Sequence, residues 1–514
     1  MNLAIRSSIF PTQFKQAIIT PIHKKGPQND LGNKRPISCL PFLSKILERH
    51  LLDHISHFIH RNNILSNTQF GFRPLRNVEV AVSTMLDTIL GLLEQKQRCL
   101  IISIDVEKAY DTINHRFLLH KLSHVGIRGS TLELLQSFLK DRSHRTVYKS
   151  MISRDDAICQ VGVPQGALLS PLLFNIFVND LLQLPHHAKV FAYADDTTII
   201  FPYDRGSRAE LDKINRCLDI ICRWYEHNGL KLNLSKTQCM LLQVGTKPLQ
   251  LDLGLRLRST PLISYKDIDT LRILGVHFDS VLCWKTHCGS ICKKLSFISA
   301  VIFKLKMLSV PRFILKRCYS ALFLPYLIFA APIWGFAAKT HIQRLVTLQN
   351  NVLRTIFNLK SSESVLEIMK RERILPVKLI VRCQTTKLIH RLTQHFKESF
   401  PTHFHETTLH RSRNRDDTTF FIPGVRLGIM QRSMFFEGIQ HYNKLPRTTR
   451  LQENQRHFKK AVKKHYENEI EQLTTTAATP LTQRGITHNE RGPSIVPPYF
   501  NTAGVKVPTE TYVP

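Results

Sequence analysis

The sequence predicts an α+β protein: a ferredoxin-like antiparallel sheet joined to a long helical, basic C-terminal half. Three observations predict it. The residues from Cys99 to Val106 form a continuous apolar, β-branched run carrying a carboxylate at its end, as a buried strand would. The segment Lys189 to Phe201 reads as two short strands around the polar turn Asp195-Asp196-Thr197. Beyond about Asp279 the apolar spacing becomes helical and the charge basic.

The elements follow in order. From Ile37 to Ile59 apolar residues recur at helical spacing, ending before the polar stretch Arg61 to Asn63. Gln69-Phe70-Gly71-Phe72-Arg73-Pro74 reads as a loop with a basic tip, and an amphipathic helix is predicted from about Val78 to Gln95. After the strand at Cys99, Ser170-Pro171 opens a helix, with serine as cap and proline in the first turn; Leu172, Leu173, Ile176 and Phe177 point inward. Leu211, Ile214, Leu218 and Ile221 mark the next helix, stopped by Asn228-Gly229 and followed by a strand from Leu230 to Val244. Strand, helix, hairpin, helix, strand is the order of a split βαβ sheet with helices on one face. From roughly Gln472 threonine, proline and glycine dominate and periodicity is lost, so the tail is expected to be disordered.

A chain of 514 residues exceeds one ordinary domain, and 43% hydrophobic residues suffice for packed cores. The charge is more informative. Lys+Arg exceed Asp+Glu by 71 to 39, a formal charge of +32 with a pI near 9.9. Such an excess attracts polyanions by releasing their counterions, so nucleic acid leads as partner, with an anionic membrane surface as the alternative. Eleven cysteines without CxxC pairs suit a reducing, intracellular compartment. Cys283, Cys288 and Cys292 lie in a segment that reads as helical, with no nearby His–His pair to complete a zinc set. From Tyr319 to Ala338 twenty residues carry no charge, but Pro325 and Pro332 would break a span twice; a buried pair of short helices fits better than a membrane crossing.

The acids carry the chemistry. Asp105 ends a strand, and Asp195-Asp196 occupy a tight turn in an otherwise apolar hairpin. Adjacent carboxylates resist ionising together, a cost that makes sense if divalent cations neutralise them. Nucleotidyl transfer needs such a site: one metal activates the attacking 3′-hydroxyl and the other steadies the leaving pyrophosphate. Magnesium takes a few carboxylates plus phosphate oxygens, which three aspartates offer. A solvated turn beside an unrelated strand-end acid is the bland alternative.

The motifs resemble those of one family. Ile102-Ser103-Ile104-Asp105-Val106-Glu107-Lys108-Ala109-Tyr110-Asp111 resembles motif A of reverse transcriptases. Gly162-Val163-Pro164-Gln165-Gly166 with Leu169-Ser170-Pro171-Leu172-Leu173-Phe174-Asn175 resembles motif B. Tyr193-Ala194-Asp195-Asp196 is similar to motif C, and Gly229-Leu230-Lys231-Leu232-Asn233 with Ser235-Lys236-Thr237 to motif D; Leu274-Gly275-Val276 sits where the primer-grip hairpin falls. Upstream, Arg35-Pro36-Ile37-Ser38 and Gln69-Phe70-Gly71-Phe72-Arg73 resemble the fingers blocks of non-LTR (LINE-type) retrotransposons. Downstream, Pro325-Tyr326, Ala331-Pro332-Ile333-Trp334-Gly335 and Leu348-Gln349-Asn350 with Leu353-Arg354 are similar to that family's thumb. The likeness reaches about Glu469, and it is the order of the motifs that makes it specific.

The resemblance implies a right-hand polymerase. Its reverse transcriptase domain would span 1–278 (fingers about 1–95, palm about 96–278), followed by a helical thumb at 279–360, a basic helical region at 361–470 and a tail at 471–514. It implies an RNA-directed DNA polymerase using an RNA template, a DNA primer and deoxynucleoside triphosphates, with two Mg2+ ions or Mn2+ in their place. Asp105, Asp195 and Asp196 would hold the metals, Asp196 being the weakest candidate for direct ligation, with the backbone of Val106 near the triphosphate. Gln165 and Gly166 would pack beside the incoming nucleotide, and Tyr110 beneath its sugar; Tyr110 packed under the helix from Asn114 to Val125 is the plain alternative. Arg35 would grip the triphosphate or stand as a surface cation. Lys236 would protonate the pyrophosphate or only neutralise it. Phe70, Phe72 and Arg73 would meet the template, although aromatic residues near a strand are more often core.

LINE-type elements usually carry an endonuclease upstream and a zinc knuckle downstream. This chain starts almost at the fingers and has neither, so a truncated or split reading frame is expected. Two rivals stay open. Asp105 and Asp111 have the spacing of a viral RNA-dependent RNA polymerase, but Ala-Asp-Asp and Pro-Gln-Gly depart from that pattern. A catalytically silent RNA-binding remnant is disfavoured by three intact carboxylates. The compartment, nucleus or cytoplasm, is not legible.

Overall fold

The computed structural model describes residues 1–477 except 25, 155, 185–186, 205–207, 243, 245–254, 258–259, 262–268, 397–418, 421 and 423. Its centre is a four-stranded antiparallel sheet in the order β7-β8-β3-β9, formed by β3 (Arg98–Ile104), β7 (Lys189–Tyr193), β8 (Asp196–Tyr203) and β9 (Gln238–Leu242). Ile101 of β3 pairs with Ile200 on one side and Met240 on the other. This is the ferredoxin-like order. Both faces are covered, not one as the element order suggested. Cys99, Ile101, Phe191, Ile200 and Met240 face a core shared with α3 (Val78–Glu94) and the C-terminal half. Leu100, Ile102, Ile104, Val190, Ile199 and Phe201 face a second core. That core is built with α2 (Phe42–Arg61), α4 (His115–His124), α5 (Gly129–Leu139), α6 (Ser170–Phe177) and α7 (Arg208–His227). Burial on both faces explains why β3 reads as one apolar run rather than an alternation.

A second sheet has the order β2-β1-β4-β5 with β6 beside β4. Its strands are β1 (Gln16–His23), β2 (Lys34–Cys39), β4 (Arg142–Tyr148), β5 (Met151–Ile152) and β6 (Ala157–Cys159), following a short α1 (Asn2–Arg6). Because β1 pairs parallel with β4, the chain leaves the central sheet's layers after α5 and joins the second sheet before α6. The helix expected from Ile37 starts only at Phe42. Pro36 biases Arg35 toward extended backbone, and Lys34–Cys39 pairs antiparallel with β1. The strand expected from Leu230 is likewise shorter. Asn233 accepts the amides of Lys236 and Thr237 in a turn, leaving Gln238–Leu242 as strand.

A small ribbon, β10 (Arg256–Leu257) and β11 (Thr260–Pro261), precedes the hairpin β12 (Thr270–Ile273) and β13 (Val276–Asp279). Asp279 accepts the amides of Cys283 and Trp284 at 2.7 and 2.6 Å and so opens α8 (Lys285–Met307), which packs against α12 (Lys339–Phe357). Between them run α9 (Arg312–Cys318), a π-helical turn at Tyr319–Phe323, α10 (Leu324–Ile328) and α11 (Ala331–Trp334). The uncharged stretch is therefore broken, short and buried at Phe323, Leu327 and Trp334. Among the described residues no helix is long and apolar enough to cross a membrane. Then come α13 (Leu366–Arg371), α14 (Val377–His395), short helical turns between 428 and 450, and α15 (Gln455–Ala477). The helix thus passes the expected tail boundary by several residues; the rest of that tail lies outside the described residues.

Candidate active site

The carboxylates are gathered by strand register. Ile104 pairs with Thr197, so Asp105, one residue on, comes level with Asp196 at the end of the neighbouring strand. Tyr193 pairs with Asp196 across a two-residue turn in which Ala194 holds φ +58°. The loop before α3 braces this turn. Phe70 N–H donates to Ala192 O at 2.9 Å and Ala192 N–H to Thr68 O at 3.0 Å. A Cβ on Gly71 would stand 2.3 Å from Ala194 N, so only glycine lets the two backbones touch. The buried Asn175 of α6 donates to Gly71 O at 2.7 Å.

Electrostatics marks the acids as strained. Burial, then Asp195 and Asp105, push the Asp196 carboxyl up to about 6, with Arg35 opposing. Asp195 is raised by burial and by Asp105, while Arg35 and Lys24 pull it down. Arg35 on β2 and Lys24 just beyond β1 therefore face the acids from the fingers. Lys24 had no signal in the sequence beyond its charge. Lys236 Nζ lies 3.6 Å from Asp105 Oδ2, carried there because Val106 bridges to Leu232 and Asn233 N–H donates to Asp105 O at 2.8 Å.

The segment Gly162–Gly166 closes the other side. Val163 N–H donates to Tyr110 O at 2.8 Å, and Ser38 N–H to Gln165 O at 2.7 Å. Gln165 Nε2 donates to Asp111 Oδ1 at 2.9 Å. Gly166 has φ +138°, and a Cβ there would come within 2.3 Å of Ser38 O. Tyr110 stacks on Phe174 of α6, ring centroids 4.6 Å apart at 18°. Its buried hydroxyl has no hydrogen-bond partner among the described residues, and burial with nearby Asp195 pushes that phenol well above its usual range.

Three expectations are corrected. Phe70 is fully buried, stacked near Phe191 at 6.4 Å, so it cannot stack on a template; the exposed ring of that loop is Phe72. Arg73 donates to Ser66 O at 2.6 Å and Gln69 O at 3.1 Å, and burial lowers it to about 10. Its guanidinium shapes the loop. Ser170 is the first helical residue rather than the cap, and its hydroxyl donates to Pro164 O at 2.8 Å. The segment leading into the helix is held by Glu48 of α2, fully buried, whose Oε2 takes the amide of Leu168 at 2.6 Å while Oε1 takes Ser44 Oγ at 2.7 Å. An acid 120 residues upstream gives no local sign of such a role.

Among the described residues no group of three or more His, Cys, Asp or Glu side chains is assembled to hold a metal by itself. Cys288 and Cys292 are buried in α8. Asp105 is close enough to raise the carboxyls of Asp195 and Asp196, which stand opposite cations, a donor set that fits a hard divalent ion completed by phosphate oxygens and water.

The family described as reverse transcriptase (RNA-dependent DNA polymerase) matches residues 22–278. A probable RNA-directed DNA polymerase from transposon BS of Drosophila melanogaster is 28% identical over 370 residues, covering 69% of this chain and 40% of the relative. The RNA-directed DNA polymerase from mobile element jockey of the same organism is 27% identical over 376 residues, covering 69% and 39%. The chain thus spans about two-fifths of the length of these relatives. The solved structure of apo telomerase from Candida Tropicalis is similar at a TM-score of 0.39 and 13% identity, covering 77% of this chain and 71% of that one. With half its length matched, from the fingers strand β1 to the hairpin β12–β13, the chain belongs to the reverse transcriptase family.

Proposed function

We propose that the chain is the polymerase of a non-LTR retrotransposon, extending a DNA primer on an RNA template with deoxynucleoside triphosphates. The observation that carries this reading is the meeting of Asp105 with Asp195 and Asp196 at adjoining strand ends, faced by Arg35 and Lys24. Asp105, Asp195 and Asp196 would hold two magnesium ions, which when bound lower the pKa of the primer 3′-hydroxyl and stabilise the leaving pyrophosphate. Arg35 and Lys24 would grip the triphosphate, Arg35 with a fork that matches phosphate oxygens. Lys236, beside Asp105, would deliver a proton to the leaving group. Gln165, held by Asp111, and Gly166, held against Ser38, would form the floor under the nucleotide, with Val106 backbone beside the phosphates. The division of the chain into fingers, palm, thumb and basic region belongs to the same proposal.

Tyr110 would select the sugar. A ribose 2′-hydroxyl buried against its ring without a partner loses roughly 1–3 kcal/mol, about tenfold per 1.4 kcal/mol, before steric overlap is counted. The test is primer extension on an RNA template with deoxy- and ribonucleotides in parallel. Wild type should use deoxynucleotides, and Tyr110→Val should keep DNA synthesis while admitting ribonucleotides far more readily. Ribonucleotide use by the wild type, or equal loss of both activities in the variant, would overturn the sugar assignment and favour an RNA polymerase.

A further inference from the structure

The helix α15 is two-sided in an uneven way. Phe458, Val462, Tyr466 and Ile470 are buried against the rest of the C-terminal region. The His390 ring of α14 stacks on Phe458 at 3.5 Å, Tyr466 hydroxyl meets Thr386 Oγ1 at 2.9 Å, and Arg382 pairs with Glu469 at 2.6 Å. The rest of its circumference exposes Arg456, Lys459, Lys460, Lys463 and Lys464, with Lys459 at the edge of the buried face. Arg456 and Lys460, Lys459 and Lys463, and Lys460 and Lys464 are each four apart, where like charges destabilise a helix. The neighbourhood adds to the repulsion. Lys459 lies near Lys387 and Arg391 of α14, and burial together with those two cations lowers its ammonium, with only Glu79 of α3 opposing. Glu467 pairs with Lys463 at 3.4 Å. Seven cations are thus collected beside two carboxylates, an arrangement that packing of α15 does not require.

The patch is linked to the aspartate turn through α3 and the loop before it. Glu79 is in the first turn of α3, directly after the loop whose Gly71 supports the aspartate turn. The end of α14 reaches that loop too, where Arg76 lies over the Phe396 ring at 5.0 Å.

We propose that the exposed face of α15, with Lys387 and Arg391 of α14, binds the phosphate backbone of the nucleic acid flanking the stretch held in the polymerase site. The identity of that strand rests on the polymerase reading. Phosphates suit the surface because they would relieve repulsion among cations that the fold holds together. A bilayer suits it less, since an interfacial helix needs an apolar face to insert, and that of α15 is spent on the protein core.

The experiment uses the full chain carrying Lys459→Gln, Lys460→Gln, Lys463→Gln and Lys464→Gln together. Binding is measured against salt with an RNA–DNA primer–template bearing long flanks and with one trimmed to the site, alongside melting temperature and binding to phosphatidylserine vesicles. For the long-flanked substrate affinity should fall, and the slope of log affinity on log salt should shrink by roughly 0.9 for each phosphate no longer neutralised. The trimmed substrate and the extension rate once bound should be unchanged. Unaltered affinity and slope with a raised melting temperature would overturn the proposal, leaving only relieved repulsion. Loss of vesicle binding with hybrid binding intact would overturn it in favour of a membrane. If wild type fails to extend primers yet the flank-dependent binding is lost in the variant, the polymerase reading falls and the surface stands.

Discussion

Single side chains show where sequence reasoning reaches and where it stops. Asp105, Asp195 and Asp196 were legible because each breaks an apolar strand pattern, and acids in such places need a reason. Phe70 was misread because an aromatic at a loop looks the same whether it faces solvent or core; only its packing near Phe191 decides. Asp87 gave no signal at all. It sits on α3 under the sheet, its Oδ1 without a partner among the described residues, and burial pushes it up to about 7 against a weak pull from Lys189. The folded state therefore keeps a proton that the unfolded chain releases from about pH 4. Stability falls as pH rises toward 7 and stays reduced above it. Asp87→Asn removes that penalty. Thermal melts should find the variant stabilised at pH 8, on the order of 2 kcal/mol, with the gap closing near pH 4. A gap of equal size at both pH values would contradict the assignment.

Among elements, the palm strands and the long helices were legible from period alone, since β3, α3 and α7 each bury enough surface to write a pattern. The fingers excursion was not. β4 is half-exposed, and what makes it a strand is a parallel partner, β1, more than a hundred residues away in the chain, with the short β6 then pairing antiparallel with β4. The support of the aspartate hairpin is equally non-local: Gly71 touches Ala194, and Asn175 holds Gly71. Gly71→Ala puts a methyl group into backbone that has nowhere to retreat, an overpacking that typically costs about 1–3 kcal/mol. It should displace the turn bearing Asp195 and lower the extension rate at least about tenfold, the factor that 1.4 kcal/mol brings. Near-normal extension with normal stability would show that the turn does not depend on this glycine.

For the whole molecule, the C-terminal region shares its core with the central sheet. One core runs from Phe70, Leu86 and Met240 through Leu295 and Trp334 to Leu388, Val462 and Ile470. Glu94, at the end of α3, accepts Arg426 N–H at 3.3 Å and Leu427 N–H at 2.8 Å, while the Arg426 guanidinium donates to Leu93 and Glu94 carbonyls at 3.1 Å. Amphipathic helices in the sequence announced that this region packs, but not against what, because a helical stripe names no partner. A chain ending at Lys360 should therefore expose the far side of the palm core and lose cooperative melting; an unchanged melting temperature would refute that brace. The central claim, that three aspartates make this chain a polymerase, is tested most directly by single-turnover primer extension with Asp195→Asn. The variant should bind the primer–template within a few-fold of wild type and fail to add a nucleotide, because the proposed role of the aspartate gives charge to the metals and little to the strand. Extension at a rate near wild type would contradict the claim.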